Sequence, residues 1–298
     1  MPRPETTSPA ASTRGASRRV PHPVREHAEH TERARRLTVS VVIPVLDDAE
    51  NLQRCLDALA RQTLAPDEIV VVDNGSRDDS AGVARRSGAR VVRELRPGIP
   101  AASAGGYDAA TGDVIARLDA DCVPTPTWIA ELAATLTAHP EVTAVTGPAR
   151  FHDGPRALRR VGARLYLLAY FGSLTPALGH VPLFGSNFAL RRDAWLQVRD
   201  DVHRTDTELH DDLDLSFHLG APWILRFDPA MEMPISARPF ADGRALVRRF
   251  RRGFHTVARH WPHELPWLRW RRLVRAHRAR RARSLAAAGP SRLPTTAA

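Results

Sequence analysis

The run Leu37-Thr-Val-Ser-Val-Val-Ile-Pro44 is apolar on both faces of an extended chain and is stopped by proline. A strand of that kind has to be covered on both sides, the condition met in a parallel sheet with helices on each face. The pattern recurs. Glu68-Ile-Val-Val-Val-Asp73 is a second such run, Val91-Val92 marks a third strand and Val114 to Leu118 a fourth. Between them the spacing becomes helical. Leu52, Cys55, Leu56 and Leu59 predict a helix from about Ala49, which Asp47 or Asp48 can cap; Asp78 to Gly88 supplies a second helix and the small residues Ala101 to Ala110 a third. This βαβαβαβ order predicts a doubly wound α/β fold, in which ligands bind beyond the carboxyl ends of the strands.

Acids gather at those ends: Asp73 closes the second run, and Asp119 and Asp121 follow the fourth. Residues i and i+2 of an extended chain point to one side, so Asp119 and Asp121 present two carboxylates to one small volume. Two such charges repel unless a cation lies between them. Hard oxygen ligands suit Mg²⁺ or Mn²⁺, ions commonly shared with substrate phosphates. The plain alternative for the pair alone is a solvated strand end; convergence with Asp73 on one sheet edge favours the ligand site. The charge balance agrees. All 43 basic side chains are Arg, the formal charge is +10, and Arg grips phosphate bidentately, so phosphorylated substrates, nucleic acid and anionic lipid heads are all candidate partners. Cys55 and Cys122, the only cysteines, lie in apolar segments without ligand spacing and are expected as buried free thiols.

The runs Val-Ser-Val-Val-Ile-Pro-Val-Leu-Asp-Asp-Ala-Glu-Asn-Leu, Ile-Val-Val-Val-Asp-Asn-Gly-Ser-Arg-Asp-Asp-Ser and Thr-Gly-Asp-Val-Ile-Ala-Arg-Leu-Asp-Ala-Asp together resemble the family 2 glycosyltransferases of GT-A fold, over about Leu37 to Leu219. The resemblance implies a Rossmann-like, mostly parallel sheet flanked by helices. It implies a nucleotide-sugar site lined by Pro44, Asp47 or Asp48, Asp73 and Asp119, and a divalent cation, Mn²⁺ or Mg²⁺, held by Asp121 with Asp119. Many members carry Ala-Arg-Asn-x-Gly before the fourth strand; here Ala102-Ser-Ala-Gly-Gly106 stands there, with Arg93 or Arg96 as substitutes for the lost charge. Pro182 to Trp195 resembles the acceptor-side segment, with Gly185 allowing close backbone approach and Asn187 donating to the acceptor or satisfying a turn. His210-Asp-Asp-Leu-Asp-Leu-Ser216 resembles the motif that supplies the catalytic base. Asp212 is the first choice and Asp211 the alternative, Asp214 being assigned to helix capping; an acid-rich helix start stabilised by the macrodipole is the structural alternative.

Downstream, Trp128, Ile129, Leu132 and Leu136 predict a core helix from Thr125, and Val142 to Gly147 a strand. Phe151 to Thr175 reads as an amphipathic helix with Leu165, Leu168 and Phe171 inward, or as an acceptor- or lipid-facing helix. From Arg244 to Arg283 arginines alternate with Phe250, Phe254, Trp261, Trp267 and Trp270, and Glu264 is the only acid. Such helices suit an anionic membrane surface or a solvated packing on the core; nucleic acid is less favoured, since no reader motif accompanies the charge. Among His255, His260 and His263 a third ligand for the metal is conceivable. The expected organisation is a disordered arm over 1–36, a GT-A domain over 37–240 (nucleotide half 37–121, acceptor half 122–240), a basic amphipathic extension over 241–285 and a disordered tail over 286–298. No stretch reaches the roughly 18 to 20 apolar residues of a membrane span, and no secretory h-region opens the chain, so a cytoplasmic protein, peripheral at the inner membrane face, is expected. The expected activity is inverting, single-addition transfer from a nucleotide-diphosphate sugar to a glycan or lipid-linked acceptor, in cell-envelope or polysaccharide synthesis. The rivals are a nucleotidyltransferase and an inactive transferase-like module docking on membrane or nucleic acid through its basic tail.

Overall fold

The computed structural model describes residues 36–238, 243–261 and 263–287. The expected arm and tail fall almost wholly outside these, as does the boundary placed at 240. The described residues from Leu37 onward belong to one compact unit. Its strands are β1 (Val39–Val45), β2 (Glu68–Asp73), β3 (Arg90–Arg93), β4 (Val114–Arg117), β5 (Ala144–Thr146), β6 (Ala149–Phe151), β7 (Phe188–Arg191), β8 (Leu225–Phe227) and β9 (Met233–Ile235). Its helices are α1 (Ala49–Ala60), α2 (Ser80–Arg86), α3 (Ile99–Ala109), α4 (Trp128–Ala138), α5 (Arg156–Leu178), α6 (Arg192–Val198), α7 (Asp211–His218), α8 (Gly243–His260) and α9 (Pro266–Ala287).

Seven strands form one sheet in the order β3-β2-β1-β4-β7-β5-β8, and β6 pairs with β9. Only β7 runs against its neighbours, β4 and β5. The order reverses between β1 and β4, whose parallel register sets Val42 opposite Arg117, while Val45 lies opposite Asp73 on the other side. The loops after β1, β2 and β4 therefore open on one edge, around a crevice where a doubly wound sheet receives its ligand.

Period-2 alternation distributes the strands between two cores. Val39, Val41, Ile43, Val71, Val114 and Ala116 pack with α1 and α4 on one face. Val42, Val70, Val72 and Ile115 pack with α3, α6 and α7 on the other. The small residues of α3 are explained by this second face, since a Cβ on Gly106 would lie 2.4 Å from Val42 and 2.7 Å from Val72.

Two local expectations are corrected. Neither Asp47 nor Asp48 caps α1 with its side chain; Asp78, from the loop after β2, accepts from the Ala49 N–H at 2.9 Å. On α5 the inward face is Ala163 and Leu167, with Tyr166, Tyr170 and Phe171 packed against the core, whereas Leu165 and Leu168 are 62 % and 70 % exposed. Apolar residues occupy both sides of this helix, so spacing alone did not decide which side turned in.

Candidate active site

The crevice between β1 and β4 holds the acids expected there. Asp47 takes a left-handed backbone (φ 52°), which a short polar side chain tolerates. Its carboxylate accepts from the Arg77 N–H at 2.6 Å, fastening the β1 loop to the β2 loop. In that second loop the Ser76 N–H is accepted by Asp73, itself nearly buried. Asp48 and Asp121 face each other across the crevice and share Arg238, whose Nη2 is 2.6 Å from Asp48 and 3.2 Å from Asp121. Burial, followed by the Asp119 charge, raises the Asp121 carboxyl to about 6 in spite of Arg238. An acid pair so crowded that it recruits a guanidinium is a donor set for a hard divalent cation, with Arg238 standing in for that charge. The residues therefore fit the expected Mn²⁺ or Mg²⁺.

Behind this pair lies a buried polar chain. Asp119 accepts from Ser186 Oγ at 2.5 Å and from Arg117 Nη2 at 3.0 Å. Arg117, 2 % exposed, is also 3.4 Å from Asp211, which accepts from Ser103 Oγ at 2.7 Å. Ser103 belongs to the segment where the sequence lacks the family's Arg and Asn, and here that segment serves Asp211 instead. Burial raises the Asp211 carboxyl, against the opposing pull of Arg117. Asp212 lies in the first turn of α7, where backbone dipoles favour a carboxylate. It accepts from the Gly185 N–H at 2.7 Å and from its own helix through Leu213 N–H at 2.8 Å. Any side chain at Gly185 would intrude, since its Cβ would stand 2.2 Å from Arg117 Nη1 and 2.9 Å from Asp212.

Other expected residues go elsewhere. Asn187 is fully buried and cannot meet an acceptor. Its Oδ1 accepts from Trp128 Nε1 at 2.9 Å, and its Nδ2 donates to the carbonyls of Pro148 and Met231. Arg96 spends its guanidinium on Glu94 at 2.8 Å. Pro44 is buried within β1 opposite Val72, two residues before the loop that carries Asp47. Asp214 does not cap α7: it is buried and accepts from His203 and His260. His255 pairs with Asp206, while the Asp121 carboxylate meets Arg238 and the Asp121 backbone carbonyl meets His152 Nε2 at 3.0 Å. Arg117, Arg238, Ser103 and Ser186 escaped sequence reasoning. Arg117 had one signal, a charge inside an otherwise apolar strand; Arg238 had none beyond its abundance class.

The exposed face of α8 carries an apolar stripe among arginines. Val247, Phe250 and Phe254 are 69 %, 55 % and 74 % exposed and recur at i, i+3 and i+7, while Thr256 and His260 turn inward. Arg249 lies over the Tyr166 ring at 5.7 Å and joins α8 to α5. No helix among the described residues is long and apolar enough to cross a membrane.

Comparison with known proteins agrees with this geometry. The profile of "Glycosyl transferase family 2" matches residues 40–198. Glycosyltransferase AglE of Haloferax volcanii is 36 % identical over 107 residues, 33 % of this chain and 35 % of its own length. An undecaprenyl-phosphate 4-deoxy-4-formamido-L-arabinose transferase of Pseudomonas fluorescens is 34 % identical over 141 residues, 44 % of this chain and 41 % of its own. The matches thus span about two fifths or less of these relatives' lengths. The mannosyltransferase PcManGT from Pyrobaculum calidifontis, solved with GDP-Man and Mn²⁺, superposes with a TM-score of 0.56 at 20 % identity, over 88 % of this chain and 78 % of that one. The fold is the GT-A fold, with its mostly parallel sheet between helices. Because the profile match takes in more than half of the 298 residues, the chain belongs to glycosyl transferase family 2.

Proposed function

We propose that this protein is an inverting glycosyltransferase that moves one sugar from a nucleotide-diphosphate donor to an acceptor hydroxyl by metal-assisted single displacement. The observation that carries the reading is the pair of acid groups set at different depths: Asp48 and Asp121 across the β1–β4 crevice, bridged by Arg238, and Asp212 pinned by Gly185 at a helix start. The first suits a nucleotide diphosphate and the second a general base.

Asp121, aided by Asp48 and Asp119, would hold Mn²⁺ or Mg²⁺. Such an ion, when bound, supplies Lewis-acid relief to the charge of the departing diphosphate. Asp73 and the β1 loop around Asp47 frame the nucleotide end of the crevice. Asp212 takes the proton of the acceptor hydroxyl as that oxygen attacks the anomeric carbon from the face opposite the leaving group. The Gly185 N–H and the Leu213 N–H of α7 fix the direction of its carboxylate. Asp211, committed to Ser103 and Arg117, is a positioning residue, and Arg117 offsets the repulsion among Asp119, Asp211 and Asp212. The outward apolar stripe of α8, flanked by arginines, favours a lipid-linked acceptor met at an anionic membrane surface. The name of the Pseudomonas relative, an undecaprenyl-phosphate transferase, points the same way.

The test is a thermal-shift panel of UDP, GDP, dTDP and CDP, with and without Mn²⁺, on the wild type and Asp121→Ala. One nucleotide is expected to raise Tm only with metal and only in the wild type. Stabilisation by none of the four would overturn the proposed donor site.

A further inference from the structure

Three histidines converge on one α7 carboxylate that the proposed transfer reaction does not use. Asp214 and His218 lie one turn apart on α7, His203 comes from the loop before α7, and His260 closes α8. Asp214 and His260 are 4 % and 6 % exposed. His203 Nδ1 is 2.7 Å and His260 Nε2 2.9 Å from the same oxygen, Asp214 Oδ1. His218 Nε2 stands 3.6 Å from that oxygen, too far for a hydrogen bond, and this buried nitrogen has no partner. The second oxygen of Asp214 already accepts from the His203 backbone N–H at 2.9 Å. Asp214 Oδ1 thus already accepts two ring N–H groups, and the buried His218 nitrogen faces it unsatisfied.

We propose that His203, Asp214, His218 and His260 form a structural site for a borderline divalent cation, Zn²⁺ above all. Three imidazole nitrogens and one carboxylate oxygen make a tetrahedral set, and all four ligand atoms lie within 4.8 Å of one another. Tetrahedral zinc with bonds of about 2.0–2.1 Å places its ligands about 3.3 Å apart, so the two short contacts open slightly and the His218 contact closes. The rings are already grouped, with centroids 5.1 to 5.7 Å apart. Phe217 stacks on His260 at 4.2 Å and fixes its plane. A cavity of about 290 Å³ lined by His218 and His260 offers an entry path. Imidazole prefers Zn²⁺, whereas the all-oxygen pair at Asp121 prefers Mn²⁺ or Mg²⁺, so the two sites select different ions. The bound ion would join α8 and the loop before α7 to the helix whose first turn carries Asp211 and Asp212.

The test uses the full chain. It is stripped of metal, titrated with Co²⁺ and followed by visible absorption, with metal content measured on the protein as purified. One Co²⁺ per chain with intense tetrahedral d–d bands is expected, displaced by one Zn²⁺, unchanged in Asp121→Asn and lost in His218→Ala. Zn²⁺ is also expected to raise the Tm of the stripped wild type by several degrees and that of His218→Ala by none. His218 is chosen because its ring nitrogen makes no hydrogen bond that the apo fold would lose. Should the variant fail to fold, the wild-type titration decides by itself: absence of tetrahedral bands, or bands that disappear in Asp121→Asn, overturns the site.

Discussion

Asp121 carries a charge that the fold raises in energy and that a ligand would relieve. Its carboxyl ionises at about 6 instead of 3.8, so the folded state holds the proton more tightly than the unfolded chain. The stability this group contributes is full below about pH 4 and is lost as pH rises through about 6. Asp121→Asn removes the penalty and is expected to stabilise the metal-free protein by on the order of 2 kcal/mol at pH 7.5 and by little at pH 4, measured by urea denaturation. The same proton competes with metal, so Mn²⁺ affinity should fall as pH drops below about 6, which calorimetric titration would register. Asp212→Asn is expected to lower kcat by about 10²-fold or more with nucleotide binding unchanged, because it removes a base and not a donor ligand. Asn187 belongs to another class: Asn187→Ala strands Trp128 Nε1 and two backbone carbonyls, a cost of about 3 kcal/mol in chemical denaturation. Sequence reading placed Asp119, Asp121 and Asp212 correctly at loop and helix starts, since an acid after a buried strand is a local pattern. It left Asn187 between an acceptor contact and a turn, because its partners Trp128, Pro148 and Met231 arrive from elsewhere in the chain.

Helices α5 and α8 illustrate where a periodic pattern stops informing. Apolar spacing on α8 was legible, but the side chains one would bury, Phe250 and Phe254, face outward, while Thr256 and His260 turn inward. The inner face is polar because it meets polar groups: Thr256 accepts the His210 N–H, and His260 meets Asp214. An outward aromatic stripe beside arginines is expected to dock on anionic lipid. Phe250→Ser with Phe254→Ser should leave Tm within a degree or two, because neither side chain is buried, and reduce co-sedimentation with phosphatidylglycerol vesicles at least tenfold. Equal binding by the double variant would remove the stripe from the acceptor model.

At the scale of the whole molecule, Arg269 secures the last helix. Its guanidinium, 3 % exposed, donates to the Leu178 and Phe217 carbonyls at 2.7 and 2.9 Å and to Glu264 at 2.8 Å, joining α9 to the ends of α5 and α7. Arg269→Ala leaves those acceptors buried and is expected to cost about 3–5 kcal/mol, with loss of hydrogen-exchange protection first over 266–287. The order of buried strands and helices, the parallel sheet and the acids at its edge were fixed by sequence alone, because period-2 and period-3.6 burial and strand-end chemistry are written in neighbouring residues. Which basic groups among 43 arginines become Arg117, Arg238 and Arg269, and which histidines meet around Asp214, was decided only by tertiary structure. The deciding contacts, Arg238 to Asp48 and Asp121, Arg269 to Leu178 and Phe217, and His260 to Asp214, join residues 46 to 190 positions apart, and a charge carries no local mark of the partner that folding will bring to it.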